Sequence, residues 1–138
     1  MILSKCFGPV DDDPRVPTDD FKWIDRMALS RKHIFEAVDD SVERLGRCID
    51  VLQIHRLDQS TDKSEIMEAL HDVIKSCKVR YNGASTIRAT EFAQLQFIAE
   101  KNGRTNFTSM QNFYNLVYRE EEREIDPFSN ETGVGLIP

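Results

Sequence analysis

Cysteine is scarce in this chain. Cys6, Cys48 and Cys77 are an odd number, far apart, with no CxxC pair and no histidine at a zinc-ligand spacing from them. A disulfide framework and a zinc knuckle are therefore excluded, and reduced structural thiols are what remains. Basic charge is also in deficit: 18 Lys and Arg face 24 Asp and Glu, for a net charge of -6. No cationic stripe is available to neutralise phosphates, which argues against nucleic acid as a partner. No apolar stretch approaches the roughly 20 residues of a membrane span. The opening "MILSKCFGPV" holds too short an apolar run for a secretory signal. The expectation is a soluble, cytoplasmic protein with no membrane partner.

What is present is the material of a core. The chain has 138 residues, 40% of them hydrophobic, the size of one ordinary domain. Strand-like runs begin near Ile2 ("ILSKC"), Ile49 ("IDVLQIH"), Val79 ("VRYNGAS"), Phe107 ("FTSMQN") and Val134 ("VGLIP"). The last four start about 27 to 30 residues apart, the length of a strand, a helix and two short loops. Helical patterns fill the gaps. Ser30 can cap a helix whose stripe is Ile34, Ala37, Val38, Val42 and Leu45, closed by Gly46. Asp62 with Glu65 has the spacing of a capping box before Ile66, Met67, Leu70, Val73 and Ile74. A third helix runs from about Thr90, with Phe92, Leu95, Ile98 and Ala99 inward, and stops by Gly103. A fourth, "REEEREIDPF", is mostly charged and meets Pro127.

Strand and helix in alternation imply parallel strands joined by right-handed crossovers. An open doubly wound sheet and an α/β barrel both satisfy that pattern. In either, chemistry gathers at the carboxyl ends of the strands. "IDVLQIHRLD" is apolar until it ends on His55, Arg56 and Asp58, and strand alternation puts Gln53 and His55 on one face. Lys5 ends the first strand on a comparable face, Ser85 closes the third, and Gln111 and Asn112 close the fourth. On neighbouring strands, Lys5 and His55 would be within reach of each other. The first strand is followed by a Pro- and Asp-rich insertion, residues 8–29, on the expected substrate side. Its aspartates have the setting of solvated loop carboxylates and not of metal ligands.

The segments "ILSKC", "DVLQIHRLD", "KVRYNGAS" and "SMQNFYN", in this order and spacing, resemble the aldo-keto reductases, in particular the fungal and bacterial aryl-alcohol dehydrogenase-like branch. The resemblance covers residues 1–138 as a single partial reductase domain. It implies an α/β fold that is part of a (β/α)8 TIM barrel, about five parallel strands matching the third to the seventh. It further implies NADPH-dependent reduction of aldehydes or ketones, such as an aryl aldehyde or a secondary-metabolite carbonyl. Lys5 and His55 match the catalytic lysine and histidine; Ser85, Thr86 and Gln111 match groups that hold the nicotinamide carboxamide.

The family's proton-donating tyrosine and its aspartate belong to the strand and turn before the lysine strand, and Tyr81, Tyr114 and Tyr118 do not match that place. The family's eighth strand and basic phosphate-gripping loop follow the position of Pro138. A catalytically inactive fragment and a nucleotide-sensing module are accordingly the alternative readings. Four departures from the family pattern also stand out. Asn82 and Asp126 replace apolar residues, Thr86 stands where serine or asparagine is usual, and Cys77 replaces a turn glycine.

Overall fold

Each of the five apolar runs becomes a strand in the computed structural model, which describes residues 1–10, 23 and 26–138. They are β1 (Leu3–Cys6), β2 (Ile49–Ile54), β3 (Val79–Ser85), β4 (Phe107–Gln111) and β5 (Gly135–Ile137). All pair in parallel, in the order β1-β2-β3-β4-β5. A doubly wound sheet reverses its strand order at a switch point. Here there is no reversal, so right-handed crossovers place every helix on the same face. The sheet is therefore five consecutive staves of a (β/α)8 barrel wall, and the open-sheet alternative is eliminated. Most of the expected insertion at 8–29, namely residues 11–22, 24 and 25, lies outside the described residues.

Local signals set the first two helices. In α1 (Arg31–Leu45) the Ser30 Oγ accepts the His33 N–H at 3.3 Å, and Gly46 ends the helix at φ 66°, a left-handed conformation that glycine adopts without strain. In α2 (Lys63–Lys75) the Asp62 carboxylate accepts the Ser64 N–H at 2.8 Å. The expected capping box does not close. Glu65 instead accepts the N–H of Arg31 at 3.0 Å, and the Arg31 guanidinium pairs with Asp72 at 2.7 Å. A free N–H at the start of α1 is thus satisfied by the next helix.

The third helix, α3 (Ala89–Lys101), buries Phe92, Leu95 and Ala99 and starts without a side-chain cap. The charged run expected to form one fourth helix is divided. Glu120–Arg123 makes a 3-10 turn, and α4 spans Ile125–Thr132 with Pro127 inside its first turn. Proline is tolerated there because a first-turn N–H has no helical acceptor. Asp126 consequently opens a helix and does not close one.

The core lies between the sheet's outer face and the helices, with Leu52, Ile54, Ala84 and Met110 against Ile34, Val38, Ile66, Leu70, Phe92 and Leu95. β4 carries an irregularity: Asn82 is in register with Phe107, but Gly83 is in register with Ser109. The extra residue, Thr108, donates its hydroxyl to the Asn82 carbonyl at 3.1 Å. This bulge lets both Phe107 and Met110 face the helices, where Phe107 stacks on Phe92 with ring centroids 5.7 Å apart. Asn82 sits fully buried among these groups, and its Oδ1 and Nδ2 both lack partners. No helix among the described residues is long and apolar enough to cross a membrane.

Candidate active site

The register arranges the inner face in rungs. Lys5, Gln53, Gly83, Ser109 and Gly135 are neighbours across the five strands. Two residues further along, at the carboxyl ends, Ser85, Gln111 and Ile137 form the next inner rung. His55 follows Ile54, the partner of Ala84, and so stands level with Ser85. Its N–H donates to the Cys6 carbonyl at 3.0 Å, which extends the ladder past the end of β1. Lys5 is one rung below His55, about 7 Å along the strand direction. A lysine side chain spans that distance.

These residues do converge. Lys5, His55, Ser85, Thr86 and Gln111 line one open concavity of about 300 Å³, together with Asn112, Phe113, Tyr114 and Pro138. Partial desolvation of the ring, then the Lys5 and Arg56 cations, hold the His55 pKa below the ordinary imidazole value. His55 is thus neutral at pH 7, with one ring N–H to donate and one nitrogen to accept.

The turn after β3 is held from β4. The N–H of Thr86 donates both to the Gln111 carbonyl at 3.1 Å and to the Asn112 Oδ1 at 3.0 Å. Thr86 has φ 52°, a left-handed conformation uncommon for a β-branched residue. The Ser85 and Thr86 hydroxyls lie 3.4 Å apart. The Gln111 side-chain amide has no hydrogen-bond partner among the described residues.

Other polar residues near the strand ends have structural duties. Asp58, a suspect from its place after His55, does not line the concavity. It accepts the Leu29 N–H at 3.3 Å, the Ser60 N–H at 2.8 Å and hydroxyl protons from Ser60 and Thr61. It therefore braces the β2–α2 loop against the segment leading into α1. Tyr114 reaches the mouth, but its hydroxyl donates to Glu122, which Arg119 also grips. The bond to Glu122, with partial burial, pushes the Tyr114 pKa up, so this phenol is a poor proton donor. Tyr81 is on the rung below Gly83, and Tyr118 packs on Phe113; neither lines the concavity.

Residues 1–138 match the family model described as the aldo/keto reductase family. The chain belongs to that family. It is 53% identical over 145 residues to a versiconal hemiacetal acetate reductase of Aspergillus parasiticus, covering 100% of this chain and 42% of the relative. It is likewise 53% identical over 149 residues to a Schizosaccharomyces pombe protein named provisionally as an aryl-alcohol dehydrogenase, covering 100% of this chain and 42% of that protein. An aldo-keto reductase of Alternaria alternata is 46% identical over 152 residues, again with 100% of this chain and 41% of the relative covered. The chain thus spans less than half the length of these relatives. Within the aldo/keto reductase fold, residues 1–138 supply the five described staves and the concavity at their carboxyl ends.

Sequence reasoning passed over Asn112 as a site residue, although it had noted it as a polar strand end. Its contact with Thr86 spans 26 positions in the chain and leaves no local signature.

Proposed function

We propose that residues 1–138 carry the lysine–histidine half of an NADPH-dependent carbonyl reductase acting on aldehydes or ketones, an aryl aldehyde or a secondary-metabolite carbonyl among them. The observation behind this reading is the convergence of Lys5, His55, Ser85, Thr86 and Gln111 on one concavity. The donor set suits a nicotinamide carboxamide. Gln111 has an uncommitted amide, and the Ser85 hydroxyl makes only the 3.4 Å contact with Thr86. When bound, the dinucleotide supplies the hydride. The neutral His55 ring donates a hydrogen bond to the carbonyl oxygen and fixes its direction. Lys5 puts a cation near the oxygen on which negative charge gathers, where a preoriented charge acts most strongly. The proton for that oxygen is assigned to the tyrosine that the family carries before the lysine strand, because Tyr114 is bound to Glu122.

A small-molecule carbonyl is the partner this reading requires. The acidic balance gives nucleic acid no foothold. The free cysteines fit a reducing compartment such as the cytoplasm. The substrate list is inherited from resemblance and from the names of the relatives.

The test is a graft. Residues 1–138 replace the matching stretch of the Aspergillus parasiticus reductase, and NADPH-linked reduction of an aromatic aldehyde is followed. Activity is expected, and Lys5→Met or His55→Ala should each reduce kcat/KM by about 10²- to 10⁴-fold. A graft that folds and binds NADPH but is indifferent to His55→Ala would remove the catalytic assignment. An inert graft that still binds NADPH would favour the nucleotide-sensing alternative.

A further inference from the structure

We infer that Asn112 is a positioning residue for the cofactor end of this site. It clamps the β3–α3 turn so that the Ser85 and Thr86 hydroxyls stay at the mouth. The inference rests on the reading above, because it gives those hydroxyls their purpose.

Asn112 is itself 9% exposed, seated just past the end of β4. Its own N–H donates to the Ile137 carbonyl at 3.3 Å, so its backbone is fixed between β4 and β5. Its side chain then works in both directions. Oδ1 accepts the Thr86 N–H at 3.0 Å, and Nδ2 donates to the Glu121 carboxylate at 3.4 Å. The amide is thereby oriented from the 3-10 turn on one side and spends its acceptor on the β3–α3 turn on the other.

That turn needs holding. Thr86 is β-branched and left-handed at φ 52°, a conformation such residues leave unless surrounding contacts impose it. Its N–H bond to Gln111 continues the ladder, which fixes the amide but not the direction of the chain as it leaves the sheet. The second acceptor, Asn112 Oδ1, comes from outside the ladder and restrains that direction. If Thr86 relaxed towards ordinary φ, Ser85 and Thr86 would turn away from Gln111, and three carboxamide partners would no longer face one point.

The experiment uses the 138-residue chain and a double-mutant cycle. Amide hydrogen exchange is read at Thr86 and, as a control for global opening, at Leu52 and Ile54; binding of NADP+ is read by equilibrium dialysis. Asn112→Ala should speed exchange at Thr86 by about tenfold, the worth of one hydrogen bond, with the control amides unchanged. Where the parent chain binds NADP+, its affinity should fall by a similar factor. In a Thr86→Gly background, where left-handed backbone carries no strain, Asn112→Ala should cost less than about threefold in affinity. If Asn112→Ala does not fold, Asn112→Ser, too short to reach the Thr86 amide, takes its place. Unchanged exchange at Thr86, or an equal affinity loss in both backgrounds, would overturn the role of Asn112. Where the parent chain binds no NADP+, faster exchange at Thr86 supports the clamp and the affinity arm is read in the graft, in which absence of NADP+ binding would count against the dinucleotide reading instead.

Discussion

Gly83 lies so close to Ser109 that a Cβ placed on the glycine would stand 2.6 Å from the serine Oγ. The same Cβ would meet the Gln53 Cγ at 3.0 Å and the Val51 Cγ1 at 3.2 Å. Glycine is therefore required on this rung by close approach, since its φ is unexceptional. The inner face beneath the site is filled by side chains from β2 and β4 leaning over β3. Gly83→Ala should cost about 1–3 kcal/mol by overpacking. Ser109→Ala should recover part of that loss in the double variant, because it removes the nearest atom, and its Oγ has no partner to lose. Urea unfolding of the four chains checks both statements. An unchanged midpoint for Gly83→Ala would show that the rung is loose.

Asn82 is the neighbour of Gly83 on the opposite face, and there the fault is chemical. The side chain is fully buried with both amide atoms unpartnered, between Leu52 of β2 and Phe107 of β4. An unpaired buried polar group costs about 1–3 kcal/mol. Asn82→Ile should therefore raise stability by up to that amount, seen as a higher urea midpoint with no change in slope. Asn82→Asp, which adds a charge at the same place, should lower it. A destabilised Asn82→Ile chain would mean that the cavity is shaped for the amide.

These two residues show where sequence reasoning succeeds and where it stops. Strand alternation alone puts Asn82 on the face opposite Ser85, and an amide there needs a partner if that face packs on helices. Helix starts and ends at Ser30, Gly46 and Asp62 were equally legible, because a cap is a signal carried within a few residues. What could not be read were features made by distant segments meeting. Glu65 resembles half of a capping box until Arg31 approaches, and the bulge at Thr108 exists only against β3. Asp58 had the position of a site residue, but its partners Leu29, Ser60 and Thr61 make it a brace. The candidate site residues were drawn from resemblance; that they share one concavity is a property of the register.

Cys77 has φ 62° at the exposed end of α2, the conformation that a turn glycine adopts freely. A left-handed L-residue costs roughly 1–2 kcal/mol, against about 0.5–1 kcal/mol for the greater unfolded-state freedom of glycine. Cys77→Gly should thus gain up to about 1 kcal/mol. Cys77→Ala keeps the strained Cβ and should gain nothing. A comparison of the two melting temperatures decides whether strain or loss of the thiol is responsible.

The Asp58 brace predicts a pH dependence of definite sign. Burial pushes the Asp58 pKa up, but hydrogen bonds from Thr61, Ser60 and Leu29 outweigh it, and the pKa lies below the ordinary value of 3.8. A depressed folded-state pKa means that the stabilisation is complete above the unfolded value and is lost as pH falls through the folded one. Asp58→Ala should cost about 1–3 kcal/mol at neutral pH, chiefly through the buried Leu29 N–H. The gap between the two chains should narrow only below about pH 4, within the carboxylate range. A gap constant from pH 7 to pH 2.5 would show that the carboxylate charge contributes nothing.

Lys5 and His55 share the concavity, and the charge of Lys5 is one of the causes that depress the His55 pKa. Removing the ammonium while keeping the length of the side chain should therefore raise the pKa of His55 towards its ordinary value. Desolvation and Arg56 remain, so the return should be incomplete. In Lys5→Met, the His55 ring protons followed by NMR should titrate at higher pH than in the parent chain. The effect should shrink as salt is added, because the two groups meet at a solvent-exposed mouth where charge interactions are screened. If the His55 titration is the same in both chains, the lysine does not reach the histidine, and the two cannot act on one carbonyl oxygen.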